Sequence, residues 1–174
     1  MTIPVGGVRY RLIKDNLEMM LSDSLGSIGW FDAGRKHAPV SVIGEAVNPN
    51  VEIKPNIISI STENMETTEW EMGSGLEEHR WDIYLDIFAE SNAIGLHLAG
   101  DIQDILKGKM PSIDRDRPIL DVLDIRMATP VKIFTCQLEN VKMARVRNWT
   151  DPWNEHWWAL LVEVVDYYDS ESDE

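Results

Sequence analysis

Residues 80–88 read Arg80-Trp81-Asp82-Ile83-Tyr84-Leu85-Asp86-Ile87-Phe88. Apolar side chains at 81, 83, 85 and 87 alternate with mainly polar ones, the period of two that sends successive side chains to opposite faces of a strand. One face of this strand is therefore expected to lie on a core. Directly afterwards Ser91 stands where a helix N-cap belongs, and Ile94, Leu98, Ile102, Ile105 and Leu106 recur at helical spacing as far as Lys107 and Gly108. Strand followed by amphipathic helix is the nucleus of the fold reading.

Working outward, Leu12, Ile13, Leu17, Met20, Leu21 and Leu25 form a second helical stripe, with Arg11, Lys14, Asp15, Glu18 and Asp23 between them. This predicts a helix over residues 7–25 that Gly26 stops. Residues 29–39 combine glycine, proline and mixed charge and read as a loop anchored by Trp30 and Phe31, followed by a short strand within 40–47. The β-branched run after Pro55, residues 56–62, reads as a strand. Residues 63–75, polar and ending in Gly73-Ser74-Gly75, read as a hairpin or long β-loop, extended and rearranging on contact with partners.

Downstream, residues 110–117 form a charged, proline-containing connection, and 119–127 fit strand and helix equally. Residues 131–146 predict a long strand bent near Glu139-Asn140, and 149–154 a turn helped by Pro152. The stretch 157–165 has Glu163 as its only charge, so it is expected to be a central strand buried on both faces. Residues 1–168 are read as one domain and 169–174 as a disordered acidic tail. The fold class is α+β, a mixed but mainly antiparallel sheet with two helices packed on one face.

Composition narrows the function classes. A chain of 174 residues with 44% hydrophobic content is long enough for one domain that buries about 70% of its unfolded surface. No export signal or membrane span is evident, and the single cysteine, Cys136, has no partner for an internal disulfide. The formal charge is -14, and setting aside Asp166, Asp169, Glu171, Asp173 and Glu174 still leaves -9, so the acidity is global. Such a charge opposes binding to nucleic-acid phosphate through counterion release, but it suits DNA that must slide past without sticking.

No nucleotide-binding, zinc or calcium motif occurs. The histidines, His37, His79, His97 and His156, lack metal-ligand spacing. Asp101 with Asp104, and Asp82 with Asp86, are carboxylate pairs of the sort a metal-dependent nuclease uses, yet pairs arise cheaply among 30 acids and read as solvated faces. Cys136, between Phe134 and Leu138, reads as a buried small hydrophobe. No catalytic residue, cofactor or metal is expected.

The seven tryptophans carry more information. Trp81 and Trp157 are expected to face the core. Trp30, Trp70, Trp149, Trp153 and Trp158 fall in loops or at element ends, and with Phe31 and Met72 they are candidate interface anchors, because aromatics at such places hold protein interfaces together.

Ile53-Lys54-Pro55-Asn56-Ile57-Ile58-Ser59-Ile60, then Glu69-Trp70-Glu71-Met72-Gly73, then Asp82-Ile83-Tyr84-Leu85-Asp86-Ile87-Phe88-Ala89-Glu90 running into Leu98-Ala99-Gly100-Asp101-Ile102-Gln103-Asp104-Ile105-Leu106-Lys107-Gly108, and the close from Pro152-Trp153 through Trp157-Trp158 to Asp166-Tyr167-Tyr168, form a series. In this order they resemble the tail terminator and neck (head–tail joining) proteins of tailed bacteriophages. The resemblance implies a virion protein, made in the host bacterial cytoplasm, whose homohexameric ring caps the tail tube and joins it to the head connector. Its partners would be copies of itself, the tube protein and a connector or neck protein, with DNA passing through the channel and no membrane contact. It brings no catalytic residues. Two other readings stand beside it, a neighbouring head-closure component and an acidic DNA mimic that blocks a host DNA-binding protein. A metal-dependent hydrolase would need the carboxylates to converge.

Overall fold

The computed structural model describes residues 7–28, 31–32, 35–36, 40–44, 56–69, 76–107, 119–126, 128–145 and 156–169. Among them the chain runs α1 (Gly7–Ile28), β1 (Phe31–Asp32), β2 (Arg35–Lys36), β3 (Ser41–Ile43), β4 (Ile57–Glu69), β5 (Leu76–Phe88), α2 (Asn92–Lys107), β6 (Ile119–Asp124), β7 (Val131–Arg145) and β8 (Trp157–Asp169). β1 and β2 form a small antiparallel pair where a loop was expected. The other strands make one six-stranded sheet in the order β3-β4-β5-β8-β7-β6. β3 pairs with β4 in parallel and every other neighbouring pair is antiparallel. The α+β class with a mixed, mainly antiparallel sheet is thus the observed architecture.

The alternation in residues 80–88 has its predicted consequence. Trp81, Ile83, Leu85 and Ile87 are buried to within 1% of completeness. Ile58 and Ile60 of β4, Leu160, Val162 and Val164 of β8, and Phe134, Cys136 and Leu138 of β7 continue the same buried set across the sheet. Both helices feed this one cluster, α1 through Leu12, Ile13, Leu17, Met20, Leu21 and Leu25, and α2 through Ile94, Leu98, Ala99, Ile102 and Leu106. Ser91 caps α2 as predicted, its Oγ accepting the Ile94 N–H at 3.2 Å.

Several expectations change. α1 continues through Gly26 to Ile28, because a glycine costs a helix only about 1 kcal/mol and does not itself end one. Of the two readings of residues 63–75, the hairpin holds over the described residues: 63–69 are strand, paired antiparallel with β5 as far as Glu69↔Glu77. Glu66, Thr67 and Thr68 are all exposed, and a strand wetted on both faces loses the alternation by which strands are recognised. Residues 70–75 lie outside the described residues, as do 170–174. Residues 119–124 resolve as strand β6. β7 is bent where predicted, with Asn140 at φ 45° and the register against β8 shifting between Glu139 and Lys142.

β8 is central, but it is not buried on both faces. Trp158, Leu160, Val162 and Val164 are buried, whereas on the other parity Trp157, Ala159, Leu161 and Glu163 keep intermediate exposure and Val165 alone is buried. The tryptophan pair is accordingly reversed: Trp158 is in the core, and Trp157 faces the other way, stacked on Phe88 with ring centroids 5.5 Å apart. An uncharged run does not say which parity faces inward. Pairing of Trp158 with Ile87, and of Trp157 with Phe88, decides it.

Trp158 also sets a constraint on α2. A Cβ added at Gly95 would lie 2.4 Å from Trp158 Cδ1 and 2.6 Å from its Nε1. Gly95→Ala is therefore expected to lower the urea midpoint, with over-packing of roughly 1–3 kcal/mol outweighing a helix-propensity gain of about 1 kcal/mol. In a Trp158→Leu background the same change should be neutral or stabilising.

Candidate functional site

Two polar constellations stand out, one within the core and one on the opposite sheet face. The first joins the start of α1 to the end of β8. Arg9 lies on the buried stripe of α1, one turn before Leu12 and Ile13, and is 1% exposed. Its guanidinium donates from both Nε, at 2.7 Å, and Nη2 to Oδ2 of Asp166, also 1% exposed, and sits 4.0 Å above the Phe134 ring. His79 is the cross-strand neighbour of Asp166. Its Nε2 lies 3.0 Å from Glu77 Oε2 and its ring meets Trp81 edge-on. Cys136 is buried close by, its thiol donating weakly to the Leu120 carbonyl at 3.7 Å.

Cysteine, histidine and aspartate together invite a nucleophile reading, which the geometry does not favour. Asp166 is engaged by Arg9, and His79 Nε2 is engaged by Glu77. Burial drives the Cys136 thiol far up, and the nearby Asp166 adds to the shift, so it stays protonated at any physiological pH. Burial also raises the Asp166 carboxyl above its usual range, with Arg9 pulling it back. This arrangement is a buried ion pair that ties a helix to a strand.

The second constellation covers the sheet face away from the core. Trp157 Nε1 donates to Asp86 Oδ1 at 2.8 Å, and with Tyr84 and Leu161 it makes a half-covered apolar band, Phe88 being buried where it stacks on Trp157. Beside it Arg80 bridges Glu78 and Glu139, while Glu163 accepts from Asn140 Nδ2 at 2.7 Å and pairs with Lys142 at 3.7 Å. Asp86 is thus a tryptophan partner. Asp101 and Asp104 are exposed on α2, and among the described residues no three His, Cys, Asp or Glu converge as a metal set. His97 is exposed and His156 half-buried, while His37 lies outside the described residues.

Of the interface candidates, Trp30, Trp70, Met72, Trp149 and Trp153 lie outside the described residues, and so does the side chain of Phe31. Trp158, at 9% exposure, is a core residue and not an exposed anchor. The residues missed from sequence are Arg9, Asn16 and Asp166. Arg9 and Asn16 share the helical spacing of the apolar stripe, which was the available signal. Asp166 sits two residues past Val164 on the inward parity of β8, disguised as the start of an acidic tail.

No family model matches the chain, and no curated protein matches it in sequence. No helix among the described residues is long and apolar enough to cross a membrane.

The buried pair makes a signed prediction. Arg9→Met leaves the Asp166 carboxylate buried without its cation and should cost about 3–5 kcal/mol at pH 7 by chemical denaturation. A carboxyl whose native pKa lies above its unfolded value binds its proton more tightly when folded, so its contribution is present in acid and lost as pH rises. The Arg9→Met deficit should therefore shrink towards acid pH, and adding Asp166→Leu should restore most of it. Native Cys136 should resist iodoacetamide and label only on unfolding.

Proposed function

We propose that this chain is the repeating subunit of a ring in a bacteriophage tail, of the tail terminator or neck kind. The ring is homohexameric, capping the tail tube at the head connector, with DNA passing through its channel. In this reading both helices cover one face of the sheet, and the apolar band on the other face, with the aromatic-bearing segments around Trp30, Phe31, Trp70, Met72, Trp149 and Trp153, meets neighbouring copies, the tube protein and the connector. The protein is a virion component assembled in the bacterial cytoplasm.

The observation that carries the proposal is the band of half-exposed Tyr84, Trp157 and Leu161, with buried Phe88 stacked beneath Trp157. A strongly acidic chain gains nothing in solubility from a half-exposed apolar sheet face, and such patches mark surfaces that meet other proteins. Its global charge suits a channel that phosphate must traverse without adsorbing. A ring needs two different surfaces per subunit meeting head to tail.

Light scattering with negative-stain imaging of the purified chain, alone and with tail tubes, tests this. A six-fold ring is expected. A stable monomer beside assembled tubes would overturn it, and tight capture of a host DNA-binding protein by that monomer would favour the mimic. Trp30→Ala and Trp153→Ala should weaken assembly more than they lower the melting temperature.

A further inference from the structure

The six-stranded sheet is stepped along both sides. On one side β3 pairs only with residues 57–59, so residues 60–69 of β4 have β5 on one flank and, among the described residues, no strand on the other. On the opposite side β6 pairs with residues 131–137, so residues 138–145 of β7 have, among the described residues, β8 as their one strand neighbour, with the Val141 carbonyl at the bulge accepting from Gln103 Nε2 of α2 at 3.4 Å. The two open stretches are offset along the sheet, sharing the level of Leu160 to Val164 on β8 and extending past it in opposite directions. Residues 66–69 of β4 reach β8 near Val165 and beyond through β5, whereas Lys142 to Arg145 lie beside Leu161 to Trp158. Unpaired strand edges of this length are templates for a further strand.

On β6 a helix side chain engages both groups of one peptide position, where β7 has the Val141 carbonyl engaged. The Asn16 side-chain amide donates to the Leu123 carbonyl at 2.8 Å and accepts the Leu123 N–H at 3.1 Å. Helix α1 thereby occupies the peptide groups of Leu123, blunting that strand.

The open stretches are complementary in charge. β4 brings Glu63, Glu66 and Glu69 with no base between residues 60 and 69, and Glu66 is exposed. β7 brings Lys142 and Arg145 beyond its bulge, its one acid in this stretch, Glu139, being buried and paired with Arg80 at 3.4 Å, and Lys142, Met143 and Ala144 are exposed. They are also complementary in direction: three successive antiparallel pairings make β4 and β7 run oppositely, so a copy continuing the same sheet would meet its neighbour antiparallel. Their shapes agree as well. With β7 of one copy laid along residues 60–69 of another, β6 of the first and β3 of the second fall beyond the two ends of the new pair.

We propose that copies of this chain join head to tail by strand addition, residues 60–69 of one copy pairing antiparallel with residues 138–145 of the next. The proposal rests on the ring reading and names its interface. Pairing β4 with a second β4 would set glutamates against glutamates, which opposes a two-fold dimer through this edge. The contact is instead heterologous, and it closes when the rotation per copy divides the circle.

The test uses the full chain. Asn64→Cys or Glu66→Cys is combined with Lys142→Cys or Ala144→Cys and oxidised, and each single variant and Glu66→Cys with Asp101→Cys serve as controls. A ladder of disulfide-linked multimers is expected from at least one combination and from no control. In sedimentation, Lys142→Glu should weaken association about tenfold, and adding Glu66→Lys should recover it. Self-association without any ladder, or cross-linking by Glu66→Cys alone, would overturn the edge pairing and leave the ring standing. No self-association at any concentration, alone or beside tail tubes, would overturn both.

Discussion

The register between β5 and β8 is the constraint from which the rest of the structure follows. These two strands run antiparallel without a bulge from Leu76↔Asp169 to Phe88↔Trp157. Each side chain on one strand therefore has a fixed neighbour on the other, and a slip of one residue would exchange the two faces completely. With Trp81, Ile83, Leu85 and Ile87 set against Val164, Val162, Leu160 and Trp158, the core has a floor to which both helices contribute. The same register sends Asp86, Phe88, Trp157 and Leu161 to the other face, so core and candidate contact surface are two readings of one pairing.

The buried Arg9–Asp166 pair is a consequence of that frame. Asp166 points inward because it shares parity with Val164, in a position where an apolar residue would be the cheaper choice. Desolvating a carboxylate there is tolerable because Arg9 arrives on the buried stripe of α1 and Phe134 offers its ring face to the guanidinium. The pairing links residues 157 positions apart and joins the start of the first helix to the end of the last strand. It uses charge for placement, and the high thiol pKa of Cys136 beside it reflects the same dry surroundings.

At the margins the sheet is governed by how its edges are managed. Asn16 occupies the peptide groups of Leu123 on β6, glutamates line the open part of β4, and β7 bends at Asn140 before its basic end. Glutamates on an edge discourage like edges from pairing while leaving a basic edge welcome, so under the proposed strand addition a device against indiscriminate aggregation would also select a partner. In the proposed ring that distinction would matter, because uncontrolled edge pairing produces filaments.

By itself the sequence determined the elements whose pattern depends on a single face: α1 and α2 from their stripes, the Ser91 cap, β5 from its alternation, and the bend in β7. These are local properties, set by which side of an element is dry. It left the second half of β4 between hairpin and loop, since Glu66, Thr67 and Thr68 are wet on both sides, and it did not determine the inward parity of Trp158 over Trp157, since an apolar run has no phase. Arg9 and Asp166 were invisible as a pair for a similar reason: each is an ordinary charged residue until the chain brings their carboxylate and guanidinium together. Only tertiary pairing supplies the phase, the partner and the free edge, because each of these is a relation between segments far apart in the chain.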